Sequence, residues 1–156
     1  VMSDPANDVL KLVLLDRYSS AKPVVGFIRN FGLKRGAIAS SVSHDSHNLL
    51  AVGADDYSLA KAINLLLGHQ GGVSVADGDT ADVPPLANAG LMSAADGFHV
   101  ARDYARLDAL AKQLGSQLAA PFMTLSFMAL LVIPALKLGP CGLFDVTQFR
   151  PANLFE

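Results

Sequence analysis

Two short strand-like runs on either side of Asp77 and Gly78 do most to limit what this chain can fold into. Residues 72–76 (GVSVA) and 80–83 (TADV) are too short for stable helices and are built of β-branched and small side chains. An Asp-Gly pair supplies the positive backbone φ that a tight hairpin turn needs. Pro84 and Pro85 then stop the returning run, because proline has no amide to give to a ladder. A hairpin pairs its strands antiparallel, so part of the sheet in this chain must be antiparallel.

Other runs join that hairpin. Residues 9–15 (VLKLVLL), between Asp8 and Asp16, read as a buried strand, and residues 24–31 (VVGFIRNF) as a strand or an irregular segment bent at Gly26. Residues 36–42 (GAIASSV) have the small side chains of a strand lying close to other backbone, and residues 49–53 (LLAVG) resume an apolar strand. Asp55 or Asp56 caps a helix with Leu59, Ile63 and Leu66 on its apolar face, Ala62 and Leu67 alongside, and Gly71 and Gly72 at its end. Residues 96–114 form the clearest helix: Val100, Tyr104, Leu107, Ala111 and Leu114 recur at steps of four and three, with charged residues on the other sides. Pro121 starts a further helix to about Leu131, bounded by Pro134, and residues 145–155 form a tail that packs aromatics onto the body.

These elements describe an α+β fold, a mixed and partly antiparallel sheet flanked by helices, in a single compact domain spanning residues 1–156. With 156 residues, 51% of them hydrophobic and 17% charged, the chain has enough apolar surface to fill one core. There is no internal repeat or low-complexity tract.

A formal charge of −2, from 12 basic and 14 acidic residues, gives no field to recruit polyanions, which argues against a nucleic-acid or anionic-membrane partner. Residues 122–138 are the longest apolar run, but Thr124, Ser126, Pro134 and Lys137 break it, so it reads as a buried segment and not a membrane span. The first ten residues lack the basic and apolar regions of a signal peptide, and Val1 ahead of Met2 suggests a cut point in a longer polypeptide. Cys141 has no internal partner for a disulfide, which agrees with a reducing, cytoplasmic setting.

The chemistry is concentrated in residues 32–48, GLKRGAIASSVSHDSHN. His44, Asp45, His47 and Asn48 crowd the end of this stretch, in a segment from Ser43 onward that should join two strands. Two imidazoles and a carboxylate can share a proton or contribute to a metal site. A zinc-type site needs three or four protein ligands, however, and His69 and His99 lie at a helix end and a helix start without ligand-like neighbours. No metal site is therefore assigned to this chain. The plainer alternative has the serine and Asx side chains capping turns and the histidines bonded to backbone. Lys34 and Arg35, between Gly32 and Gly36, can hold an anion or form a solvated turn, and they lack the continuation of a phosphate loop. Cys141 reads as passive, and Met123, Phe127 and Met128 as core. Neither a GxSxG elbow nor a zinc-deaminase signature occurs.

Taken together, GLKRGAIASSVSHDSHN at 32–48, AGLMS at 89–93, PFMTLSF at 121–127 and GLFD at 142–145 resemble, in order and spacing, the C-terminal domain of bacterial adenine deaminases of the amidohydrolase superfamily. The resemblance runs over nearly the whole chain. It implies a parent enzyme that hydrolyses adenine to hypoxanthine and ammonia on a (β/α)₈ barrel. That barrel's own ligands, absent from this chain, hold manganese, iron or zinc to activate water. The partners so implied are the amidohydrolase barrel of the same polypeptide and, through the complete enzyme, adenine, with homo-oligomerisation left open. The isolated fragment is expected to be inactive. The resemblance makes Lys34, Arg35, Ser43, His44, Asp45, His47 and Asn48 candidates for an active-site-mouth or interface loop. The loop either closes over the barrel mouth or forms a stabilising domain or subunit contact. A third reading makes the chain a self-standing purine-binding, scaffolding or oligomerisation domain.

Overall fold

The hairpin is present and lies at one edge of a six-stranded sheet. A computed structural model describes residues 1–155. After a single 3₁₀ turn at Pro5–Asn7, the chain forms β1 (Leu10–Leu15), β2 (Val24–Ile28), β3 (Ala37–Ser40), β4 (Leu49–Gly53), helix α1 (Asp56–Gly68), β5 (Val73–Asp77) and β6 (Thr80–Asp82). Helices α2 (Gly97–Gln113) and α3 (Pro121–Phe127) follow, then β7 (Leu136–Gly139), β8 (Gly142–Asp145) and β9 (Arg150–Ala152). The large sheet has the order β2-β1-β4-β3-β5-β6, and β7-β8-β9 make a second, small one.

The α+β class expected from the sequence is the class observed. Pairing is antiparallel between all neighbouring strands described, a narrower arrangement than the mixed sheet anticipated. No helix bridges β1 to β2 or β3 to β4, and a parallel pair needs a long crossover that these connections do not contain.

Period-two alternation divides the core into two layers. Leu10, Leu12 and Leu14 of β1, Ile38 of β3 and Leu50 and Val52 of β4 face α2 and α3, where they meet Leu107, Ala111, Phe122 and Leu125. The opposite face carries Val13, Ala37, Ala39, Ala51 and Ala76 and receives Leu59, Ala62 and Leu66 of α1. Small residues on that face let α1 come close: a Cβ on Gly53 would lie 3.0 Å from a methyl of Leu59. The close approach read from residues 36–42 is thus the seating of a helix on β3 and its neighbours. Both long helices start where their aspartates allow, since Asp55 accepts from the Ser58 amide and Asp96 from those of Phe98 and His99. On α1, Leu67 points to solvent, which leaves Leu59, Ala62 and Leu66 as the buried stripe.

Three expectations change after residue 120. Helix α3 ends at Phe127, short of Leu131, and the chain continues through turns. The 122–138 run is not uniformly buried: Met123 is 48% and Val132 72% exposed, with Ile133 and Leu136 also at the surface. The expected aromatic tail is instead a small sheet against β2, where Leu138 and Leu143 pack over Gly26. Phe149 makes an edge contact with Phe144 but remains 77% exposed, and Phe155 is exposed as well. Among the described residues no helix is long and apolar enough to cross a membrane.

Candidate functional site

Antiparallel order determines which segments meet at the end of β3. The register of Leu15 with Leu49 and of Ser40 with both Leu50 and Val73 places the end of β1, the end of β3, and the starts of β4 and β5 on one edge of the sheet. Residues 43–48 lie at that edge, joining β3 to β4 as expected. Lys34 and Arg35 precede β3 and lie at its other end. There Lys34 bonds the Pro5 carbonyl at 3.3 Å and Arg35 pairs with Asp77 at 2.7 Å, so neither belongs with the histidines.

The loop is held from within and from β1. Asn48 is 1% exposed; its Oδ1 accepts from the Arg17 amide at 3.2 Å and its Nδ2 donates to Ser46 Oγ at 3.2 Å. The Ser43 hydroxyl, fully buried, donates to the Asn48 carbonyl at 2.6 Å, and the His47 amide donates to the Ser43 carbonyl at 2.9 Å. His47 takes φ 54°, a left-handed conformation that histidine tolerates better than β-branched residues do. These are turn-capping roles for Ser43 and Asn48.

Arg17, between β1 and β2, ties the loop to the rest of the site. Its guanidinium donates to the His47 carbonyl at 3.2 Å and to the Ala89 carbonyl at 2.7 Å, tying the loop to residues 89–93. Tyr18 donates its hydroxyl to the Ser46 carbonyl at 2.8 Å. Ser41 donates to the Gly90 carbonyl at 2.5 Å, and Gly71 and Gly90 pass so closely that a Cβ on Gly71 would lie 2.4 Å from Gly90 Cα. The only sequence signal for these contacts was the AGLMS segment itself.

His44 is placed by α3. Its amide donates to the Ser126 carbonyl at 3.2 Å, its Nδ1 lies 2.9 Å from Ser126 Oγ, and its ring stacks on Phe127 with centroids 4.7 Å apart and planes 22° from parallel. Ser126 spends its one hydroxyl proton on the Met123 carbonyl at 2.8 Å. With its proton on that carbonyl the hydroxyl accepts from Nδ1–H, and in that tautomer Nε2 is the acceptor. Phe127 is thus a half-buried platform for His44 and Met123 an exposed neighbour of Ser126, not the core residues expected, while Met128 does pack against the core. Phe127 also borders a shallow recess with Thr124, Met128, Ile133, Pro134 and Lys137. Burial in that region pushes the Lys137 ammonium below its usual range.

Three of the four motifs therefore converge: 43–48 carries the polar groups, 121–127 sets His44, and 89–93 is tied on by Arg17 and Ser41. The fourth, β8, lies in the small sheet. Asp45 and Ser46 are the exposed residues of the loop; His44 is half-buried with its Nε2 unengaged, and the Asp45 carboxylate has no bonded partner among the described residues. Both present acceptors, so the loop suits a partner or ligand rich in N–H groups. It does not suit a metal. His44 Nδ1 is committed to Ser126, His47 Nδ1 is buried without a partner, and the described residues contain no group of three or more histidine, cysteine or acidic side chains able to hold one. His99, expected without ligand-like neighbours, does pair with Asp103 at 3.2 Å, far along the chain from this loop.

Comparison with known proteins gives a consistent match. The model of the family described as adenine deaminase C-terminal domain matches residues 1–150. Over 155 residues, 99% of this chain, it is 54% identical to a protein named adenine deaminase from Methanosarcina barkeri, and it covers 28% of that protein. Proteins of the same name from Sulfurovum sp. and Salinibacter ruber are 53% and 52% identical over 95% and 99% of the chain, again covering 28% of each relative. The chain thus spans between a quarter and a third of the length of these relatives.

Proposed function

The chain belongs to the adenine deaminase C-terminal domain family, and on that premise we propose that it is the C-terminal module of an adenine deaminase. In this reading the parent polypeptide is a cytoplasmic enzyme of purine metabolism that hydrolyses adenine to hypoxanthine and ammonia. The reaction takes place on an amidohydrolase barrel outside residues 1–156, with manganese, iron or zinc held by that barrel. The residues described here offer no ligand set for the metal, so no step of the reaction is assigned to them through it. The module packs against the barrel through the face that carries residues 43–48.

One observation carries the last step. Motifs separated by up to 82 positions, as His44 and Ser126 are, come together to hold a single surface loop in a fixed shape. Exposed Met123, beside Ser126, and Ile133, in the recess with Phe127, supply apolar surface for a domain contact. A self-standing purine-binding or scaffolding domain has less support, because relatives of this identity are several times longer than the matched region.

The test compares the complete encoded polypeptide with residues 1–156, each given adenine and manganese or iron while ammonia is followed. Turnover is expected from the complete polypeptide and none from the isolated chain. Sustained turnover that copurifies with residues 1–156, or a gene that encodes no barrel, would overturn the reading.

A further inference from the structure

From the arrangement around His44, Ser126 and Phe127 we propose that His44 is a substrate-positioning residue, whose Nε2 accepts a hydrogen bond from an N–H of the aminopurine at the mouth of the barrel. The inference rests on the functional reading above and deepens it to one atom.

A surface histidine normally samples both tautomers and several rotamers. His44 does neither. Its main chain is bonded to the Ser126 carbonyl, its ring lies on Phe127, and Nδ1 donates to a serine oxygen whose proton is already placed on Met123. Three constraints from α3 converge on one imidazole and leave a single unengaged atom, Nε2, with no partner among the described residues. Had the ring served only to fill space beside Phe127, its polar edge would not need a serine held in one hydrogen-bonding sense.

The chemistry of the ligand follows from that atom. In the tautomer that donates from Nδ1 to Ser126, Nε2 offers an acceptor and no donor, beside the unpaired carboxylate of Asp45, so the complementary edge must present N–H groups. An aminopurine does so through its exocyclic amine and its ring N–H. The loop that carries His44 is preorganised by Asn48, Ser43 and Arg17, so little ordering remains to be done on binding.

The complete polypeptide, loaded with metal, tests this through His44→Phe and His44→Gln. Phenylalanine keeps a ring to stack on Phe127 but removes the acceptor. Glutamine can return an amide oxygen near the position of Nε2. The expected result is a KM for adenine about 10-fold higher in His44→Phe, from loss of one hydrogen bond to a desolvated N–H, with most of the loss recovered in His44→Gln. Thermal unfolding of each variant checks that it is folded. A wild-type KM in His44→Phe, or equal loss in both variants, would overturn the proposal while leaving the adenine deaminase reading intact. No adenine turnover by the wild-type polypeptide would overturn that reading, and this inference with it.

Discussion

Replacing Asn48 with alanine should destabilise the isolated chain by an amount that follows from its partners. The side chain is fully buried and bridges two segments, accepting from the Arg17 amide and donating to Ser46. Each bond contributes about 0.5–1.5 kcal/mol net, and stranding a part-buried amide costs about 1–3 kcal/mol, screened here by the half-exposure of Arg17. A total of roughly 2–3 kcal/mol results. With a urea dependence of about 2 kcal/mol per molar, the unfolding midpoint should fall by roughly 1–1.5 M, read by far-ultraviolet circular dichroism. Ser46→Ala serves as the control. Loss of the Ser46 hydroxyl removes the second bond alone and leaves the Arg17 amide bonded, for a smaller shift of about 0.5–1.5 kcal/mol. If Asn48→Ala moved the midpoint by less than about 0.3 M, or if Ser46→Ala matched it, the loop would not be organised from this side chain.

Other consequences are open to direct measurement. Arg17→Met keeps the aliphatic stem but removes the ties to the His47 and Ala89 carbonyls, so hydrogen exchange should quicken at residues 43–48 and 88–92 while β3 and β4 keep their protection; a uniform loss of protection would contradict the local role. Lys137 is 7% exposed, and burial holds its folded-state pKa below the unfolded value near 10.4. Between those two values the unfolded chain binds more protons than the folded one, so this group makes stability rise with pH. Tyr57, through its hydrogen bond to Asp79, and Tyr104, through burial, have raised pKa values and act in the opposite sense above about pH 10. The Lys137 contribution should therefore appear, below pH 10, as the difference between wild type and Lys137→Met. The variant should be at least as stable at pH 7 and should lose the rise; a wild-type pH dependence in Lys137→Met would refute it.

How much of this was legible in the sequence depended on the range of the forces involved. The β5–β6 hairpin and the starts of α1 and α2 were readable because an Asp-Gly turn and an aspartate cap act within a few residues. The β7–β8 hairpin was missed because the run before its Pro140-Cys141 turn has no clear period and read as one buried segment. The stop of α3 at Phe127 carries no glycine or proline signal either.

The candidate site divides in the same way. Ser43, His44, Asp45, His47 and Asn48 were identifiable as an unusual polar loop, and the structure keeps them together. Lys34 and Arg35 were grouped with them by proximity in sequence alone, yet four residues of β3 separate the two ends by roughly 13 Å or more. Conversely, Arg17 and Ser126 are distant in sequence and close in space, because β1 lies beside β4 and α3 packs under the end of β3. Period and composition do not encode such neighbours. What could be read was that segments 89–93 and 121–127 accompany 32–48; the fold supplies the reason.

The central claim is that residues 43–48 face the substrate end of a barrel domain. A crystal structure of the complete polypeptide with a bound purine tests it most directly. The account predicts His44 Nε2 within hydrogen-bonding distance of the purine, with its ring still on Phe127 and Nδ1 still on Ser126. A structure in which this loop is solvated, or buried against a surface remote from the metal, would contradict it.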